Sequence, residues 1–280
     1  MDDTADLRRC AFEAGYRMLG SATEADDIAQ ETILRVSEPI EQGRVDNPEA
    51  FTTTVATRLS IDHLRSARVR REEYRGPWLP EPIVQRSEDP AEVADSVSYA
   101  LLVVLESLSP LERAAFLLRE VFAYEYGEVA EALGRTESAC RQLVVRARRH
   151  VDDRRPRLPV DPDEHRVLVE RFLDAAGGGD LPGLVDVLAE DVRLWSDGGP
   201  HRQAARHPIA GRDRVSRFVA NVLGRLLDAC AVELVTINGE PGFLLEHGGG
   251  VHLVGTVEAV DGRITAVRWV LNPEKLGSVT

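Results

Sequence analysis

Two groups of side chains in this sequence have types and spacings suited to chemistry or recognition. The first is Asp197, His201, His207, Glu246, His247 and His252, all in the C-terminal third. One carboxylate and one imidazole facing each other in a cavity can run general acid–base catalysis. Their local contexts compete with that reading. Asp197-Gly198-Gly199 has the composition of a turn, His201 and His207 fall in a loop-like stretch, and His247 ends an alternating run just before three glycines. The second group is Glu137, Ser138, Arg141, Gln142, Arg146 and Arg149, spaced along one stretch of helical period. Polar and cationic side chains pointing outward from a helix are what major-groove reading requires.

The elements that must position this second group run from Leu108 to Val151. Ser109 can cap a helix whose first residue, Pro110, has no N–H to leave unsatisfied. Ala115, Leu118, Val121 and Phe122 then fall on one face. A short helix from Tyr126 to Leu133 turns Val129, Ala130 and Leu133 inward, and Gly134 ends it. Thr136 caps the last helix, with Glu137 in its first turn. Two amphipathic helices joined by a glycine also describe an ordinary bundle fragment. The arginine excess on the last helix favours helix-turn-helix, because a solvated face usually mixes charges.

The 280 residues suffice for two or three domains, each with a core. A net charge of −13 is wrong for a free-standing DNA binder, but its distribution matters more. Residues 135–157 hold eight arginines against three acidic residues, and residues 58–75 hold six against three. Such basic islands suit a protein that touches DNA locally while a larger partner supplies most of the affinity. Cys10, Cys140 and Cys230 form no Cys-x-x-Cys pair, which predicts structural thiols, a reducing cytoplasm and no metal site. The first residues lack a signal-peptide profile, and no apolar run reaches the ~18 residues of a membrane span. The expected location is cytoplasmic, with no membrane partner.

Upstream, Leu7 to Leu19 is a predicted helix that Gly20 breaks. Ser21 or Thr23 caps a second, in which Ile28, Ile33 and Val36 face a core and Asp26, Asp27, Gln30 and Glu31 form an acidic surface. Arg44 to Pro48 reads as a loop, and a third helix begins at Glu49. The stretch Tyr74 to Pro90 is stiff and proline-rich, with Trp78 calling for something to pack on. Ala91 to Leu105 starts a further domain and leads into the helix-turn-helix, and Arg154 to Glu164 forms a second proline-rich boundary. Beyond it, helices Glu164–Ala176, Leu181–Leu188 and Gly211–Leu227 accompany a short strand, Val192–Trp195. Four alternating runs follow: Cys230–Ile237, Gly242–His247, Val251–Val260 and Arg263–Leu271. Asn238-Gly239 and Asp261-Gly262 are turn signals between antiparallel neighbours.

The Leu-Ser-Pro opening, Leu118-Arg119-Glu120, Gly127-Glu128-Val129-Ala130 and Arg146-Ala147-Arg148 together resemble region 4 of the extracytoplasmic-function bacterial sigma factors, group IV of the sigma-70 family. The Asp26-Asp27-Ile28 and Gln30-Glu31 pattern resembles their region 2. Trp78-Leu79-Pro80-Glu81-Pro82 is similar to the motif of the SigJ-like subgroup, which carries a further C-terminal domain. Residues from Gly177 to Gly199 resemble the opening of the SnoaL-like fold. The implied fold is two all-α sigma domains, a region 2 bundle and a region 4 helix-turn-helix, followed by an α+β SnoaL-like cone with a curved antiparallel sheet. Boundaries are expected at 1–72, 73–90, 91–153, 154–163 and 164–280.

The resemblance implies partners and sites. Core RNA polymerase, through its β and β′ subunits, would meet Asp26, Asp27, Gln30 and Glu31. The −10 promoter element would meet Asp46, Asn47, Phe51, Thr53, Arg58 and Arg65. The −35 element would meet Glu137, Ser138, Arg141, Gln142, Arg146 and Arg149. Regulation in cis would run through the Trp78–Pro82 motif, Asp197-Gly198-Gly199 and Asn272-Pro273-Glu274-Lys275-Leu276, with Trp78 as apolar anchor where the motifs meet. Pro200 and His201 replace the subgroup's Gly and Lys. No cofactor and no enzymatic activity are implied, and a ligand of the cone is unidentified. The rivals are a ligand-sensing dimeric helix-turn-helix regulator and a cyclase-like enzyme fused to a DNA-binding module.

Overall fold

The computed structural model describes residues 3–72, 74, 76–86, 97–152, 161–277 and 279. The start of the Ala91–Leu105 stretch and most of the Arg154–Glu164 boundary lie outside them. The chain divides into two compact units, Met1–Glu72 with Leu101–Arg155, and Glu73–Ala100 with Pro156–Thr280.

The first unit is helical: α1 (Asp3–Leu19), α2 (Ala22–Glu41), α3 (Pro48–Glu72), α4 (Tyr99–Leu105), α5 (Pro110–Phe116), α6 (Tyr126–Leu133) and α7 (Glu137–Asp152). Ser21 caps α2, its hydroxyl accepting from the Glu24 N–H at 3.2 Å. Ser109 and Glu112 form a reciprocal capping box at α5. The expected continuation of α5 is a π-helical turn, Leu117–Val121, closed by Phe122 N–H to Leu117 C=O and followed by Ala123 at φ 57°. Gly134 ends α6 at φ 61°. Met18, Leu19 and Ile28 share one continuous core with Ile61, Leu64, Leu105, Phe116, Leu117, Ala147 and Val151. Within that core Arg113 is only 2% exposed, donating to the Met18 carbonyl and to Glu106 at 3.0 Å. The helices before and after residues 73–100 are therefore tied by apolar burial and one buried guanidinium.

The second unit is a seven-stranded sheet with helices packed on it. Its strands are β1 (Val84–Gln85), β2 (Leu188–Asp197), β3 (Ile209–Ala210), β4 (Ala231–Ile237), β5 (Glu240–His247), β6 (Gly250–Val260) and β7 (Arg263–Val270), ordered β1-β4-β5-β6-β7-β2-β3. The helices are α8 (Pro162–Gly177), α9 (Leu181–Val187), α10 (Arg212–Ala229) and α11 (Pro273–Leu276). The two predicted turns carry Asn238 and Asp261 at positive φ, 51° and 50°, as tight hairpins demand. The sheet is mixed rather than wholly antiparallel, because β2 runs parallel to β7. Alternation shows which residues face the core but not which way a sequence-distant strand runs. Strand β1 lies in the proline-rich segment and pairs with β4, Val84 opposite Ile237. The interior is mainly Leu, Val and Ile, with aromatic contacts between Phe172 and Phe243 at 6.4 Å and between Phe218 and Trp269, stacked at 5.7 Å. Among the described residues no helix is long and apolar enough to cross a membrane.

A polar cluster sits on this sheet: Glu240, Glu258 and Arg268, with Arg268 bonded to Glu258 at 2.5 Å and its guanidinium 5.1 Å from the Trp195 ring centroid. Burial, and then the Glu258 charge, push the Glu240 carboxyl up to about 7, against the attraction of Arg268. A raised folded-state pKa means that the folded chain binds the extra proton between the ordinary carboxylate value and about 7. This contribution to stability is full in acid and declines as pH rises through that window. Replacing Glu240 with Gln should flatten the decline and stabilise the protein at neutral pH by at most about 3 kcal/mol. Thermal unfolding of both proteins from about pH 4 to about pH 8 checks this, and parallel curves would contradict it.

Candidate nucleic-acid interface

The helix-turn-helix is built as its sequence implies. Cys140, Val144, Ala147 and Val151 form the buried stripe of α7, packed on Val129 and Ala132 of α6 or on the unit's main core. Thr136 caps α7, accepting from the Ala139 N–H at 3.3 Å. Glu137, Ser138, Arg141, Gln142, Arg146 and Arg149 are all exposed on the opposite side. Arg141 pairs with Glu137 at 3.0 Å, and Arg146 with Glu112 at 2.8 Å. Two further residues belong here that sequence reading passed over. Val145, 44% exposed, lines one shallow concavity with Arg141, Gln142 and Arg146. Tyr126 places its ring centroid 4.1 Å from the Arg141 guanidinium carbon. An exposed apolar residue on a basic helix was the available signal for Val145, whereas nothing in the sequence joins Tyr126 to Arg141.

On α2, Asp26, Asp27, Gln30 and Glu31 are exposed as expected. Asp26 pairs with Arg8 at 2.6 Å, Glu31 pairs with Arg35, and Leu34 stands 77% exposed on the same helix. The −10 candidates divide. Asp46, Asn47 and Arg65 are exposed, and Asn47 caps α3 through the Ala50 N–H at 3.1 Å. Phe51 is half-buried, and Thr53 is 6% exposed on a face of small hydroxyl residues that includes Thr52, Thr57 and Ser60. The Arg58 guanidinium donates to the carbonyls of Ala132 at 2.6 Å and Glu131 at 2.9 Å, at the C-terminal end of α6. The Tyr124 hydroxyl donates to the Ala50 carbonyl at 2.7 Å. In this form Thr53 and Arg58 thus face the helix-turn-helix.

In the second unit Trp78–Pro82, Asp197 and Asn272–Leu276 meet. Asp197, 1% exposed, accepts from the Tyr74 hydroxyl, from the Leu79 N–H at 2.9 Å and from Lys275 Nζ at 2.7 Å. Lys275 also donates to the Leu79 carbonyl, and its Nζ sits 3.3 Å from the Trp78 ring centroid. Leu79, rather than Trp78, is the buried apolar anchor, while half-buried Trp78 supplies a face to the ammonium. Asn272 caps α11 through the Glu274 N–H and bonds to the Tyr74 oxygen at 3.1 Å. Burial, then the bond to Asp197, hold the Tyr74 phenol well above its ordinary pKa. Gly199 has φ 58°, and a Cβ there would fall 2.5 Å from the Asn272 amide carbon. His201 reaches Glu274 at 3.2 Å and so links the loop after Asp197 to the Asn272–Leu276 motif.

The residues considered for acid–base work do not converge. Asp197 belongs to the linker contact, Glu246 to Arg86, His247 to the Ala229 carbonyl and His201 to Glu274, while His207 is exposed. Burial lowers the His252 pKa, with the neighbouring Arg202 charge adding to it. Among the described residues no group of three His, Cys, Asp or Glu side chains could hold a metal ion.

Comparison with known proteins places these features. The family model for Sigma-70 region 2 matches residues 7–70, and that for Sigma-70, region 4 matches residues 98–151. The chain is 36% identical to the ECF RNA polymerase sigma factor SigJ of Mycobacterium tuberculosis, over 96% of this chain and 90% of that protein. It is 32% identical to the probable ECF RNA polymerase sigma factor SigI of the same species, over 87% and 95%. The crystal structure of M. tuberculosis SigJ superimposes with a TM-score of 0.79 at 34% identity, covering 97% of this chain and 96% of that one.

Removing one partner from a buried ion pair leaves the other charge uncompensated. Lys275→Met should therefore destabilise the protein by about 3–5 kcal/mol. Urea unfolding measures this, and an unchanged midpoint would show that the Asp197–Lys275 pair contributes nothing.

Proposed function

The chain belongs to the extracytoplasmic-function RNA polymerase sigma factors, proteins that are not enzymes, and from that premise we propose how its residues divide the work. It binds core RNA polymerase and promoter DNA to direct initiation. In our reading the exposed acidic face of α2, Asp26, Asp27, Gln30 and Glu31, docks on basic helices of the polymerase β′ subunit, with β as the second subunit contacted. Asp46, Asn47, Phe51, Thr53, Arg58 and Arg65 serve the −10 element. Glu137, Ser138, Arg141, Gln142, Arg146 and Arg149 serve the −35 element, with Val145 offering an apolar contact to a thymine methyl. The protein acts in the cytoplasm, with polymerase. A ligand-sensing dimeric regulator would leave residues 7–70 without a role.

The observation that carries this reading is the pair of family matches in one chain, at residues 7–70 and 98–151. The two promoter elements lie about 25 base pairs apart, or about 85 Å along B-DNA. A unit of this size has a radius of gyration of about 14 Å. The shared core around Arg113 therefore describes a closed form, and reading both elements at once requires the two helical segments to part. Within the stretch that joins those segments, Tyr74, Leu79 and Val84–Gln85 bond to the C-terminal fold. A domain that holds the tether can set how far the segments separate, which supports regulation in cis.

Run-off transcription with core polymerase tests the assignment. Asp27→Lys with Glu31→Lys should abolish core binding. Arg141→Ala should keep core binding and lower promoter-specific transcript about tenfold or more, the worth of a good bidentate base contact. Failure of the unaltered chain to bind core would overturn the reading. Trp78→Ala should change transcript yield with core binding intact. A rise would mean that the C-terminal domain restrains initiation, a fall that it supports it, and no change would remove the case for control through the linker.

A further inference from the structure

We propose that Tyr126 is a positioning residue for promoter readout, fixing the Arg141 guanidinium by stacking so that its donor edge is presented to a guanine. The inference rests on the assignment of Arg141 to the −35 element. Tyr126 opens α6, is half-buried, and has two guanidinium carbons near its ring centroid: Arg141 at 4.1 Å and Arg119 at 4.9 Å. Arg119 is itself held, donating to the Tyr124 carbonyl at 2.6 Å and pairing with Glu125 at 3.2 Å. It lies in the π-helical turn, so the irregular end of that helix orients Arg119, Arg119 braces the Tyr126 ring, and the ring receives Arg141.

The chemistry of a planar cation gives this chain of contacts its consequence. A guanidinium stacks through its face and donates through its edge, so an aromatic contact leaves its hydrogen-bonding fork available. The other partner of Arg141, Glu137, occupies the edge instead, accepting from the terminal nitrogen at 3.0 Å. A guanine that takes the fork must displace Glu137 but need not displace Tyr126. The arginine side chain, 55% exposed, otherwise has rotamer freedom to lose on binding. Held by the ring, it loses less, and the gain appears as base preference rather than as general affinity for DNA.

The test uses the full chain assembled with core polymerase and a duplex promoter library randomised across the −35 segment. Base preference is read from the bound fraction for the unaltered protein, Tyr126→Phe, Tyr126→Leu, Tyr126→Gln, Arg141→Ala and the double variant Tyr126→Leu/Arg141→Ala. Arg141→Ala should erase a guanine preference at one position. Tyr126→Phe, which keeps the ring, should retain it. The two ringless variants should weaken it roughly two- to fivefold, the worth of an exposed cation–π contact, with core binding unchanged. The double variant should lose no more than Arg141→Ala alone. Ringless variants with an intact preference would overturn the proposal. So would unfolding of both, which would assign Tyr126 to the fold. An unchanged profile in Arg141→Ala would instead overturn the −35 assignment on which the proposal stands.

Discussion

A carboxylate withdrawn from water must be met by donors and by positive charge, or it will not stay ionised there. Asp197 imposes that demand on the second unit. Its two oxygens collect a phenol, a backbone N–H of the linker and the ammonium of Lys275, while its own carbonyl accepts from Leu271 and Asn272. The donors come from two stretches far apart in the sequence, 74–79 and 271–275, so satisfying one residue brings the linker, the end of β2 and α11 together. Gly198 and Gly199 are needed because backbone and the Asn272 amide crowd the same corner. What looks in the sequence like three separate motifs is one hydration problem with one solution.

The first unit follows a different logic. Its cohesion is mostly apolar, with Arg113 as the buried polar tie and the Arg58 and Tyr124 bonds at the margin. Apolar burial is non-directional and can be exchanged for another apolar or protein surface. Arg58 and Tyr124 bond to backbone carbonyls, which water can also satisfy. The linker contact is directional and charged, whereas the association of the two sigma segments is of a kind that a larger partner can replace. That division fits our proposal that the two helical segments part on the promoter.

Much of this was legible in the sequence. Local signals fixed the caps at Ser109 and Thr136, the stop at Gly134, the two hairpin turns and the exposed faces of α2 and α7, because each depends on a few adjacent residues. The meeting of Trp78–Pro82 with Asn272–Leu276 was also anticipated. The missing parts were set by tertiary context. Thr53 points inward because the helix-turn-helix packs there, β1 exists because the edge of β4 was available, and β2 runs parallel to β7 although both alternate like any strand. The π-helical turn leaves no compositional trace, and with it went the Arg119–Tyr126–Arg141 contact. The Glu240 cluster was invisible for the same reason, since its three charges are brought together only by the register of β5, β6 and β7.

The sequence contains one lysine among 34 lysine and arginine residues, and it is Lys275, 6% exposed. Arginine side chains do not acylate under conditions that modify an amine, and Lys275 Nζ is held by Asp197, the Leu79 carbonyl and the Trp78 face. Cellular acetylation, isopeptide tagging and amine-directed probes therefore find no ready side-chain target on this surface. They can reach Nζ only when the linker separates from α11. The chemical accessibility of a single nitrogen thus reports on whether the tether between the sigma segments is docked or released.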